Sequence, residues 1–455
     1  MSILKSINPA TEELFAEFKE MNSPLTKEII AKSSESQKNW SNINIKQRSK
    51  IISKIGDLVE ASKESFAKTI TSEMGKPIME SIAEVEKCAW LCDYYAQNGM
   101  EFLNDKPIDS DAQKSFVSFE PLGVILGVMP WNFPFWQVFR FAVPTILAGN
   151  SVLVKHAPNV QASAVAIEKI FHDCGIPKYV FRILMIDVDI IPEIIANKHV
   201  KAISLTGSEY AGSKVGECAG KYLKKTVLEL GGSDPFIVLD DANLSRCVEA
   251  AVKGRMLNNG QSCIAAKRFI VHKKIYDEFI INLKKAIDTL VIGDPMSDKT
   301  QVGPLAREDI LNKIMTQVEI SIKLGANLIT GGDRLNSRGF YYSPTILTDI
   351  TKEMPVYYEE TFGPVFTVLK FDTIDEMIQI ANDSDFGLGG SVWSKDKENA
   401  LSIARRIETG TVFINDVTKS DPRLPFGGIK NSGYGRELSE FGIKEFVNIK
   451  TIAIN

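Results

Sequence analysis

Cys263 stands in Asn259-Gly260-Gln261-Ser262-Cys263, where a glycine among small and polar residues implies a tight backbone turn that presents the thiol. A thiol so placed is a strong nucleophile, but a free cysteine is as commonly an inert buried one, and a partner is needed to decide. Glu229 is a candidate partner. It closes the apolar run Val227-Leu228-Glu229-Leu230, and Gly231-Gly232 turns the chain immediately afterwards. Facing a cleft, its carboxylate would be desolvated and its pKa raised toward the range of a general base; otherwise it is a strand-end residue in water. Asn132 is fixed within Pro130-Trp131-Asn132-Phe133-Pro134, either as an amide donor for a developing oxyanion or as part of a rigid turn. Thr206-Gly207-Ser208 ends an apolar run and opens a helix, where a diphosphate meets backbone N–H groups, although the GxGxxG pattern is absent. Lys155 ends the run Ser151–Lys155 and faces either water or a ribose or phosphate.

These residues need a scaffold that brings strand ends together. The first hundred residues read as helical, with Ile51, Ile52, Ile55, Leu58 and Val59 at helical spacing and Gly75-Lys-Pro77 as a stop. Beyond residue 120, strand-like runs stand at Gly123–Val128, Ser151–Lys155, Val180–Leu184, Ala202–Thr206 and Thr226–Leu230. The clearest helix between them runs from a cap at Asn159 to Cys174 and closes on Gly175-Ile-Pro177. A second series has strands at Pro235–Leu239, Arg268–Val271, Val365–Phe371 and Thr411–Asn415, with helices near 243–259, 274–290 and 396–407. Alternating strands and helices predict an α/β protein with two Rossmann-like domains built on parallel-type sheets. The expected division is 1–100 with 122–231, then 232–430. Residues 101–121 and 431–455 form a small β flap, because Ala112–Glu120 and Phe446–Ile454 look like strands of neither sheet. Such strands often pair with another chain, so a homodimer or homotetramer is expected.

A chain of 455 residues exceeds what one core of about 250–300 residues supports. Lysine and arginine total 53 against 57 acids, net −4, which argues against a nucleic-acid partner. The apolar stretches Leu122–Met129 and Phe141–Val154 are too short or too interrupted for a membrane span of about 20 residues. The first residues have acids where a signal peptide would be apolar, and the expected location is cytoplasmic. Six cysteines without a CxxC pair and four scattered histidines give no expectation of a disulfide framework or a metal site.

Taken together, the runs resemble the aldehyde dehydrogenase superfamily almost end to end. They are Asn8-Pro-Ala-Thr11, the Pro130–Pro134 run, Leu205-Thr-Gly-Ser208, Leu228-Glu-Leu-Gly-Gly-Ser-Asp-Pro235, Gly260-Gln-Ser-Cys263, Glu360-Thr-Phe-Gly-Pro364 and Pro425-Phe-Gly-Gly428. The resemblance implies oxidation of an aldehyde to an acid through a thiohemiacetal and thioester on Cys263. Asn132 and the Cys263 amide would form the oxyanion hole, and Glu229 would activate the hydrolytic water. Trp131, Lys155, Pro158, Gly207, Ser208, Leu230, Glu360 and Phe362 match cofactor-binding positions. Leu153-Val-Lys-His-Ala-Pro-Asn159, Trp136-Gln-Val-Phe-Arg140 and Ser420-Asp-Pro-Arg423 resemble the short bacterial succinate-semialdehyde dehydrogenases. There Trp136, Arg140 and Ser420 would bind the substrate, the arginine gripping its distal carboxylate with paired hydrogen bonds.

The pattern also departs from relatives. Leu257 stands where larger members of this substrate class carry a second arginine, so glutarate semialdehyde or uncharged aldehydes are alternative substrates. Ala265 stands where some relatives place a second cysteine. Pro158 replaces a glutamate that would bond the adenosine ribose in NAD-selective relatives, and it cannot repel a 2′-phosphate. NADP is therefore the expected cofactor, with NAD the alternative and His156 or Lys155 as further attraction for the phosphate. A silent structural relative should lack Cys263 or Glu229, and a non-redox thioesterase should lack the nicotinamide site. Release of the thioester to coenzyme A stays open beside hydrolysis.

Overall fold

Five apolar runs between residues 124 and 229 are strands lying side by side in parallel. The computed structural model describes residues 3–335 and 338–455. From Val124–Val128 the chain adds Ser151–Lys155 and Phe181–Ile183 on one side, then Val200–Thr206 and Lys225–Glu229 on the other. Gly433–Tyr434 joins the edge beside Lys225–Glu229, antiparallel. Ile125, Val152 and Val154 enter one core while Val124, Leu126 and Leu153 enter another, the alternation that a sheet covered on both faces requires. The strand order reverses between Val124–Val128 and Val200–Thr206. Connections leave those two carboxyl ends in opposite directions and open a crevice there. Trp131 and Asn132 follow one end; Gly207 and Ser208 follow the other.

A second, seven-stranded sheet runs Asn327–Thr330, Thr345–Thr348, Val365–Phe371, Ala266–His272, Asp234–Val238, Ser391–Trp393 and Phe413–Ile414. Only its first strand is antiparallel to its neighbour. The fold is α/β with mixed, mostly parallel sheets.

Three expectations need correction. The chain begins not with a helix but with a hairpin, Ile3–Ile7 against Leu14–Lys19. The flap, expected from two strands, has a third: Val447–Ile454 lies antiparallel along Lys114–Pro121, which also takes Lys106–Pro107. The third concerns the cap at Asn159. The helix starts at Gln161, and neither side-chain polar atom of Asn159 has a partner.

The acceptor at that helix start comes from far away in sequence. Glu73, fully buried in the helix Lys63–Met74, accepts from the backbone N–H of Ala162 at 2.7 Å and of Ser163 at 2.8 Å. The hydroxyls of Ser163 and Ser6 also donate to it, at 2.7 and 2.5 Å. A carboxylate at a helix N-terminus satisfies orphan donors and lies at the positive end of the helix dipole. Among the described residues no helix is long and apolar enough to cross a membrane.

Removing the Glu73 carboxylate leaves these buried donors without an acceptor. Glu73→Ala should lower stability by about 2–4 kcal/mol, and Glu73→Gln, which keeps one acceptor oxygen, should lose less. The midpoint of thermal unfolding reports this, and an unchanged midpoint for Glu73→Ala would remove the capping role.

Candidate active site

Three successive residues before the thiol hold left-handed backbone: Asn258 at φ 56°, Asn259 at 54° and Gly260 at 77°. Such conformations cost about 1–3 kcal/mol each in ordinary residues and persist only where the surroundings enforce them. Here the enforcement is visible. Asn258 donates its backbone N–H to Glu80 Oε2 at 2.6 Å and its amide to the carbonyls of Asn132 and Gln261 at 2.7 and 3.0 Å. Asn259 donates to the Pro304 carbonyl at 2.9 Å and accepts from Gly303 N–H at 2.8 Å. Gln261 Oε1 accepts from Ala306 N–H at 2.9 Å. At Gly260 a Cβ would run into the carbonyl of Gly363, so the turn admits only glycine.

Cys263 emerges from this turn, half-buried, between two cavities. The first, about 350 Å³, is lined by Trp131, Asn132, Gly207, Ser208, Leu230, Glu360 and Phe362 besides the cysteine. The second, about 430 Å³, is lined by Trp136, Arg140, Leu257, Ser420 and Phe426 among others. Cys263 and Gln137 belong to both walls. The thiol therefore faces whatever occupies either side.

The first cavity has the features of a dinucleotide cleft. Ser208 caps the helix Glu209–Lys221, its Oγ accepting from Ala211 N–H at 3.3 Å, so first-turn donors point toward Gly207 and Ser208. The rings of Trp131 and Phe362 meet edge to face at 5.7 Å. Glu360 Oε1 accepts from Gly232 N–H at 3.0 Å and pairs with Lys267 at 3.3 Å. Lys267 also donates to the carbonyls of Ser262 and Cys263, at 2.9 and 2.6 Å. Lys155 and Pro158 line neither cavity. Lys155 is buried at the carboxyl end of Ser151–Lys155, where burial lowers its pKa, and Pro158 is exposed. His156 points inward, Nε2 meeting the Pro134 carbonyl at 2.9 Å, and burial pushes its pKa down to about 4. A neutral, buried imidazole cannot attract a phosphate, so that expectation is withdrawn.

Asn132 donates one N–H of its amide to the Gln261 carbonyl at 3.1 Å, which leaves the second N–H for the cavity. Glu229 lines neither cavity. It is almost fully buried at the end of its strand, and neither carboxylate oxygen has a hydrogen-bond partner. Burial, and then the neighbouring Glu437, raise its pKa well above the usual carboxylate range. Arg140, within the wholly buried helix Trp136–Leu147, is ion-paired with Glu437, donates to Thr206 Oγ1 at 3.4 Å and lies 4.7 Å from the Phe426 ring centroid.

Sequence reasoning passed over Glu80, Gln137, Lys267 and Lys87. The last lines the second cavity and donates from Nζ to Ser420 Oγ at 2.7 Å. Only the wider glycine and aromatic runs marked the site, and a single polar or charged residue on a helix or strand carries no such mark.

Residues 2–452 match the aldehyde dehydrogenase family. A probable succinate-semialdehyde dehydrogenase (NADP+) of Synechocystis sp. is 48% identical over 451 residues, 99% of each chain. A succinate semialdehyde dehydrogenase (NAD(P)+) of Escherichia coli is 44% identical, over 98% of this chain and 97% of that one. The crystal structure of a succinic semialdehyde dehydrogenase from Streptococcus pyogenes with NADP+ superimposes with a TM-score of 0.97 at 38% identity, covering 99% of each chain.

Burial pushes the Cys263 thiol up to about 12, against the opposing influence of Arg140 and Lys267. In the free protein, iodoacetamide alkylation of this residue should therefore rise roughly tenfold per pH unit through the neutral range. Peptide mass spectrometry separates it from the half-buried Cys174 and Cys218. A rate that levels off near neutral pH would show instead that the thiol is already ionised.

Proposed function

The chain belongs to the aldehyde dehydrogenase family, and we propose that it oxidises succinate semialdehyde to succinate with NADP+ as its preferred oxidant and NAD+ as an accepted one. The observation that carries the reading is the position of Cys263 between a cleft with dinucleotide features and a cavity bearing cationic side chains. The overall change is aldehyde, water and NADP+ to carboxylate, NADPH and two protons.

The cleft fits the cofactor. Helix-start donors at Gly207 and Ser208 suit a diphosphate, and the Glu360 carboxylate suits ribose hydroxyls. Lys155 would reach the ribose side, while Trp131, Leu230 and Phe362 enclose the ring. Pro158 leaves no carboxylate to repel a 2′-phosphate. When bound, the nicotinamide supplies a hydride acceptor beside the thiol.

Cys263 Sγ gives up its proton to water, one of the two protons released overall, and bonds to the aldehyde carbon. The oxyanion that forms is met by the free N–H of Asn132 and the backbone N–H of Cys263, donors held in place before charge develops. Loss of hydride from that carbon leaves a thioester on Sγ. Glu229 then turns about its side-chain torsions toward Cys263, and its raised pKa makes it an effective base once ionised. It takes a proton from water, whose oxygen attacks the thioester; the C–S bond breaks and the cysteine is restored. Arg140, Trp136 and Ser420 hold the far end of the substrate. Residues 1–100 with 122–231 form the cofactor domain and 232–430 the catalytic domain. The free edge of Val447–Ile454 pairs with a second copy.

Cofactor reduction followed by near-ultraviolet absorbance, with succinate semialdehyde and each cofactor in parallel, tests the reading. Turnover should be faster with NADP+, and absence of turnover with both would discard this substrate. Cys263→Ala should abolish turnover while retaining cofactor binding. Glu229→Gln should give a rapid first turnover and then slow release of acid; an unchanged steady state would remove Glu229 as the base.

A further inference from the structure

The helix Ile78–Phe102 sends one cation into the second cavity, and the proposed chemistry leaves it unused. Lys87 Nζ donates to Ser420 Oγ at 2.7 Å and stands 4.2 Å from the centroid of the Trp136 ring. No carboxylate of the described residues forms an ion pair with it. The other cations around this cavity differ. Arg140 is matched by Glu437, Lys419 pairs with Asp416 at 2.6 Å, and Lys253 is exposed to water. Lys87 is thus the one desolvated ammonium at this wall without an ion pair among the described residues, since the nearby Glu84 and Asp421 are paired with Lys76 and Arg423. Holding such a charge away from water is unfavourable, and burial together with Arg140 pushes its pKa down to about 8.

An ammonium has three N–H donors. One is spent on Ser420 and the face of Trp136 shields the group, so donors remain for the cavity. Because Ser420 Oγ accepts from Lys87, its own hydroxyl proton is free to donate to the same occupant. Leu257, on the opposite wall, supplies no charge.

We propose that Lys87 is a substrate-specificity residue, pairing with the distal carboxylate of the semialdehyde alongside Ser420 and Arg140. This rests on the succinate-semialdehyde reading and deepens it. The single pre-bound counter-ion of Arg140 is then no obstacle to an acidic substrate, because Lys87 brings the unmatched charge. The carboxylate completes an ion pair that the free protein holds half-made.

The test compares kcat/KM for succinate semialdehyde and for butanal, with NADP+, in the wild type, Lys87→Met and Lys87→Arg. Lys87→Met should lower the ratio of the two values about 10- to 100-fold, through KM for the charged aldehyde, and Lys87→Arg should recover most of it. The ratio in the wild type should also fall as pH rises through about 8, where the ammonium deprotonates, and stay level in Lys87→Arg. The groups facing Lys87 are Glu84 and Cys88 on its own helix, Arg140 and Asp421. Titration of Cys263 or Glu229 acts on both aldehydes and cancels in the ratio. An equal effect of Lys87→Met on both aldehydes, or a wild-type ratio independent of pH, would overturn the assignment while leaving the substrate reading intact. Should the variants not fold, the wild-type pH profile alone decides. A wild type that prefers butanal at every pH would remove the substrate reading and this inference together.

Discussion

Backbone N–H groups at the start of a buried segment need acceptors that water cannot supply, and three glutamates from one stretch of chain provide them. Glu73 caps the helix Gln161–Asp173, which follows the strand ending at Lys155. Glu84 Oε1 accepts from Phe135 and Trp136 N–H, both at 2.9 Å, and so caps the helix that carries Gln137 and Arg140. Glu80 accepts from Asn258 N–H at the head of the nucleophile turn. The segment between residues 73 and 84 therefore fixes the sheet that carries Lys155, the helix Trp136–Leu147 and the turn before Cys263 against one another. Lys76 is the counter-ion: it pairs with Glu84 deep in the core and lies 4.0 Å from the Phe133 ring centroid. Loss of either partner would leave a buried charge uncompensated, which is far more costly than the pair itself is stabilising.

Around the thiol the same low-dielectric setting disfavours the charged forms of Cys263 and Glu229. Burial raises the pKa of Cys263 and of Glu229, and Arg140, the cation that opposes this most at the thiol, is already matched by Glu437. Lys267 joins the carbonyl of Cys263 to Glu360 on the cofactor side. A ligand that draws on Glu360 thereby alters a partner of the residue holding the nucleophile's own peptide. The resting protein is electrostatically quiet at Sγ, which suits a thiol that would otherwise react with any passing electrophile.

Much of this was legible in the sequence, for definite reasons. Strands covered on both faces appear as unbroken apolar runs, so Ser151–Lys155 and Val365–Phe371 are found at the expected residues. Glycine at 260 marked the tight turn because no other residue fits against Gly363. What failed was non-local. The opening hairpin is short, and its apolar residues Ile3, Ile7, Leu14 and Phe15 stay exposed, so their pattern points to no core. Asn159 looked like a cap because local caps are the common kind, whereas Glu73 reaches in from a separate helix. The strands near residues 114 and 447 were seen as strands, but pairing across more than three hundred residues leaves no trace in either segment. Lys87 resembles any lysine on a helix until Ser420 and Trp136 are placed beside it.

The helix Trp136–Leu147 shows how both halves of the site come to share one wall. Every residue in it is buried, so side chains on all its faces must find protein partners or a cavity. Residues four apart lie on one face, and accordingly Trp136 and Arg140 both line the second cavity. Gln137 is turned one position further, reaches the wall of both cavities, and keeps its Oε1 without a hydrogen-bond partner. The helix begins immediately after the run that carries Asn132, and Glu84 fixes that beginning. Asn132 thus lies in the turn that leads into the helix, and Gln137 and Arg140 lie within its first two turns. The spacing of Gln137 and Arg140 follows from helical geometry, and a rigid base of this kind would hold donors in place while charge develops on a substrate.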